Sequence, residues 1–151
     1  MCRAHSSSCE ESEANQISGL TGVDFSPLYE MQHYIQPEDL ASMLEYAEDE
    51  EGKQESIQQA EEANAAAADN IDRVTATINA LLKKLAAIED LSSEMVPNSF
   101  KRAFHREYFS HFALTKWNEY DNTFGQDLRN CKNFLDYAKS KGSTTVFFVF
   151  G

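Results

Sequence analysis

The feature that most constrains this chain is a stripe of apolar residues in its middle third. Ile71, Val74, Ile78, Leu81, Leu85 and Ile88 alternate spacings of three and four, and past Ser92 the series reaches Met95. On a helix that spacing keeps one narrow seam facing the same way along its whole length. Such a seam cannot be covered by the helix that carries it, so a second helix must lie against it. The expectation is an all-α protein whose seam takes either self-association or pairing with a partner.

Extended backwards, the same heptad puts Ala67, Asn64, Ala60 and Ile57 on the seam and predicts one long helix over residues 55–95. Its Ala-rich stretch, 60–68, has high helix propensity. Asn64 either fixes register or sits in a wet, frayed part of the seam, and the pattern favours neither. Leu82 and Leu91 widen the stripe, which suits a bundle better than a bare two-stranded coil.

Pro97 and Asn98 break the helix and Ser99 is a good N-cap for another, so a second long helix over 100–139 should fold back antiparallel. Two apolar arcs lie on it: Phe100, Phe104, Tyr108 and Phe112, then Trp117, Tyr120, Phe124, Leu128, Cys131, Leu135 and Ala138. At 3.6 residues per turn the arcs point roughly 150° apart. The helix therefore serves two neighbours, or kinks between residues 113 and 118. The first arc, with the basic cluster Lys101, Arg102 and Arg106, is expected to be a second contact surface. Positive charge in a first helical turn opposes the helix dipole, so it is either a solvated face or answered by acidic residues such as 49–51, or by an acidic partner.

Charge is uneven. Residues 1–70 hold two basic residues against sixteen acidic ones, and residues 71–151 hold eleven basic against nine acidic, giving −12 in all. Acidic chains repel nucleic-acid phosphates and anionic lipid surfaces, so neither is an expected partner. Residues 1–24, rich in Ser and Glu, read as a disordered acidic tail. In the acidic segment 25–52, Pro37 suits the first position of a short helix, and Glu38 and Asp39 suit its positive end. Leu40, Met43, Leu44 and Ala47 share one face of it. That helix either packs on the bundle or docks in a partner's groove.

Gly142 should end the helical hairpin domain of residues 53–142. The remaining stretch, 143–151, has no charge, no alternation and strong β propensity. It reads as a strand for a partner's sheet edge, as a segment buried in a complex, or as the start of a strand whose remainder is missing, the last being favoured. The longest apolar run, 146–150, is far too short to span a membrane.

Chemistry is sparse. Glu107 and His111 share a helical face at metal-compatible spacing, but His105 points away, and a packed or surface histidine pair is the better reading. Cys2, His5 and Cys9 are zinc-ligand types without a fourth ligand or a knuckle turn. Cys131 lies in an apolar arc. Three cysteines make no disulfide framework, and no leader is legible, which points to the cytoplasm or nucleus. No glycine-rich phosphate loop or serine elbow is present. The sequence is therefore read as an antiparallel helical hairpin or coiled coil of two long helices behind a short helix. Its expected function is that of a non-catalytic interaction subunit of a larger assembly, without cofactor or metal, binding protein partners, possibly itself, by helical packing. Two other functions are set beside it: an acidic regulatory adaptor docking through residues 25–46, and a metal-dependent enzyme using Glu107 and His111.

Overall fold

A computed structural model describes residues 13–94, 108–110, 112 and 123–148. Every regular element among them is a helix: α1 (Glu13–Thr21), α2 (Ser26–Gln32), α3 (Pro37–Tyr46), α4 (Glu50–Ala67), α5 (Ile71–Ala86), α6 (Leu91–Glu94) and α7 (Phe124–Ser140). The chain divides into two compact units, Asp24–Ala80 with Arg129–Gly151 and Met1–Val23 with Leu81–Leu128.

In the first of these units α2 and α3 pack on α4. Pro37 opens α3 with Glu38 and Asp39 in its first turn, and Leu40, Met43, Leu44 and Ala47 are each half-buried. Asp49 caps α4, its carboxylate accepting from the Gly52 N–H at 2.8 Å. Asn64 sits half-buried on α4 and reaches the chain between α2 and α3. Its Oδ1 accepts from the Ile35 N–H at 2.8 Å and its Nδ2 donates to the Ile35 carbonyl at 2.9 Å. Asn64 thus holds a neighbouring segment, where the sequence left register and fraying as the choices.

The single long helix expected over 55–95 is interrupted twice. After Ala67 the chain turns through Asp69, whose φ of +50° lies in the left-handed region that Asp and Asn tolerate best among side-chain-bearing residues. Arg73 makes the break tolerable by donating to the freed Ala66 carbonyl at 2.8 Å. The second interruption follows Ala86, where the Ala87 and Ile88 N–H groups bond only three residues back, to Lys84 and Leu85.

Residues 143–148 of this unit are not helical. Gly142, at φ +85°, closes α7, with Ser143 N–H donating to Ala138 and Gly142 N–H to Lys139, the paired bonds of a Schellman cap. Residues 143–148 then run across the start of α5. The Ile71 N–H donates to Thr144 O at 3.1 Å, which satisfies one of the donors a helix start leaves open. Val146 is buried, and Phe147 stacks on Tyr34 with ring centroids 4.3 Å apart.

The other unit contains α1, the C-terminal end of α5, α6 and the first turn of α7. Its buried apolar side chains include Ile17, Leu81, Leu85, Leu91, Phe109 and Leu128. The disordered reading of residues 1–24 is corrected over Glu13–Thr21, which is helical with Ile17 buried. Gly22, at φ +68°, ends that helix. The second long helix is corrected as well. Ser110 is not helical, and α7 starts at Phe124, with the Thr123 hydroxyl accepting from the Gln126 N–H at 3.3 Å. Residues 113–118, where a kink was expected, lie outside the described residues.

Candidate interaction surface

The seam side chains Ile71, Val74, Ile78, Leu81 and Leu85 are 0–4% exposed within the single chain, and Ile88 is half-buried. Within the single chain these five side chains are part of the buried core.

Of the second expected surface, Phe100, Lys101, Arg102, Phe104 and Arg106 lie outside the described residues. Tyr108 and Phe112 are described, and both turn to Phe124 at the start of α7. Ring centroids are 5.9 Å apart for Tyr108–Phe124 and 5.9 Å for Phe112–Phe124. The buried Phe109 completes the cluster, edge-on to Phe124 at 5.5 Å. The Tyr108 hydroxyl donates to Asp127 Oδ2 at 2.7 Å. Burial first, then that hydrogen bond and the charges of Asp127 and Glu13, push the phenol well above its ordinary range. Tyr108 and Phe112 are therefore used inside the fold.

The exposed aromatic side chains are elsewhere. Phe134 and Tyr137 stand three residues apart on α7, 58% and 63% exposed, while Leu128 and Leu135 of the same helix are buried. They fall outside both apolar arcs, and following the arcs alone passes over them. The signal was present all the same: two large aromatics off the buried face of an amphipathic helix. The Lys141 ammonium lies 5.4 Å from the Tyr137 ring centroid. Lys132 pairs with Asp136 on the same helix at 2.6 Å, and Lys139 pairs with Asp72. Tyr46, at the end of α3, is 83% exposed.

The candidate chemical groups give less. Burial pushes the Cys131 thiol up, opposite to what a nucleophilic cysteine needs. Cys2, Cys9, His5, His105, Glu107 and His111 lie outside the described residues. Among the described residues no group of three His, Cys, Asp or Glu side chains is placed to hold a metal, and no helix is long and apolar enough to cross a membrane. No known protein family, curated protein or solved structure matches the chain.

Proposed function

We propose that this chain is a non-catalytic protein–protein interaction subunit, a helical component of a larger assembly. The observation that carries the reading is the exposed pair Phe134 and Tyr137 on α7. Aromatic rings are the commonest anchors of protein interfaces, and burying one against a partner contributes about 2 kcal/mol. The pair belongs to a helix whose other face is already in the core, so a partner helix laid along α7 covers it without disturbing the fold. Protein partners met by helical packing are the expected ligands.

The adaptor reading keeps one supporting observation: α3 has no fully buried side chain, and Tyr46 is its most exposed aromatic. The docking segment is then 37–46 alone. Phe25 and Met31 are buried and the Ile35 backbone is held by Asn64, so residues 25–35 belong to the fold.

The test is size-exclusion with mass analysis of the tagged chain, extracted from cells that make it. The expected result is elution with a stoichiometric protein partner, and release of the partner in the double variant Phe134→Ser, Tyr137→Ser with helicity unchanged. Release by Tyr46→Ser instead selects the adaptor reading. Elution of the unaltered chain at its own mass overturns both.

A further inference from the structure

Beyond the Ser143 N–H, which closes the cap of α7, the segment 144–148 makes its backbone bonds to the rest of the protein at every second residue. Thr144 O accepts from the Ile71 N–H, and the Phe148 N–H donates to Met31 O at 3.3 Å. Between them, the Val146 N–H donates to Asn70 Oδ1 at 2.8 Å and its carbonyl accepts from Asn70 Nδ2 at 2.7 Å. Bonding at 144, 146 and 148 is the two-residue alternation of an extended strand. Among the described residues no strand lies beside it. An asparagine carboxamide stands in for one peptide group, and a helix start and a helix end supply the others.

The alternation leaves the opposite edge open. The backbone N–H and C=O groups of Thr145 and Phe147 have no hydrogen-bond partner among the described residues. The Phe147 ring is engaged with Tyr34 and the Thr145 hydroxyl accepts from the Asp69 N–H at 3.0 Å. The side chains thus anchor the segment while the backbone edge stays unpaired among the described residues. An unpaired edge of uncharged, β-branched and aromatic residues is a template for another strand.

We propose that this edge pairs with the same edge of a second copy of the chain, as an antiparallel two-stranded ribbon about a two-fold axis at Val146. The register follows from the two open residues. In an antiparallel pair the bonded positions exchange both of their backbone bonds. A two-fold axis at Val146 sets Thr145 opposite Phe147 of the second copy, and Phe147 opposite Thr145 of the second copy. All the open groups are then satisfied by an interface that closes on itself, as an isologous dimer requires. Ser143 to Phe148 contains no charge, so the two segments meet without local repulsion. The whole chain carries −12, so two copies repel at longer range and the dimer strengthens as salt screens that charge. This goes beyond the assembly reading, which concerns a different partner and the exposed face of α7.

The test is sedentimentation equilibrium of the full purified chain from about 10 µM to about 1 mM, the range of weak association, at low and high salt. The expected mass rises from 17.1 kDa toward the dimer, with several-fold tighter association at high salt. Thr145→Pro removes one open N–H, a change an edge strand tolerates, and should stay monomeric. Thr145→Val, which loses only the hydroxyl, should associate like the unaltered chain. Amide exchange at Thr145 and Phe147 should slow with concentration, which keeps the test decisive if the proline variant misfolds. A chain that remains monomeric throughout overturns the proposal, as does association with unchanged exchange at those two amides. Because neither readout involves Phe134 or Tyr137, failure here leaves the assembly reading standing.

Discussion

The carboxamide of Asn70 holds both backbone groups of Val146, 76 residues further along the chain, accepting from its N–H and donating to its carbonyl. Asn70 is wholly buried and the bonds are 2.7 and 2.8 Å long. The same residue's carbonyl accepts from the Val74 N–H, within the first turn of α5. One side chain therefore ties the start of a helix to an extended segment far along the chain.

Asn70→Ala leaves two buried backbone groups without partners and is expected to cost about 3 kcal/mol, at one to two per group. Denaturant unfolding measures it. Asn70→Asp is the sharper variant. A carboxylate accepts from the Val146 N–H but faces its carbonyl, whereas the protonated acid can donate to that carbonyl. The introduced group's folded pKa is thus raised above its unfolded value. The variant should be at its most stable relative to the unaltered chain below about pH 4 and lose that advantage as pH rises through the folded pKa. A pH series of unfolding curves on both chains checks the sign.

Gly142 has open space around it but a φ of +85°. Gly142→Ala meets no clash and still places a side chain in the left-handed region, at an expected cost of about 1 kcal/mol. Melting curves read the loss, and fraying should be confined to the end of α7 and the segment after it in amide exchange.

Tyr108 is held neutral by burial first and by its bond to Asp127 second. Its folded pKa is raised, so the stability it contributes is intact below the ordinary tyrosine value near 10 and is lost as pH climbs above it. The melting temperature of the unaltered chain should fall more steeply above about pH 10 than that of Tyr108→Phe. Parallel slopes in the two chains would contradict this account of the phenol.

The helical class and the buried face of α5 were legible because strict three-four spacing has few other solutions. The break between α4 and α5 was not, since four alanines in a row hide a turn that rests on Asp69 and on Arg73 reaching back. The β propensity of residues 143–148 was visible too. Its partner was not, because a lone asparagine far away in sequence leaves no periodic trace. Helix α1 has little periodic trace for a similar reason: Ile17 is the one strongly apolar residue of that helix that the fold buries. Phe134 and Tyr137 lie off both apolar arcs, so a buried-face pattern carries no trace of them.

The chain covers the seam side chains Ile71, Val74, Ile78, Leu81 and Leu85 itself. Placing aspartate at two buried seam positions, Ile78→Asp with Leu85→Asp, tests it most directly, read by far-UV circular dichroism and solution mass together. Charges forced into a core the chain needs for itself should abolish the cooperative melt and most of the helicity. A double variant that keeps its helicity while its mass falls from an oligomer to a monomer would contradict the account, because the seam would then belong between chains.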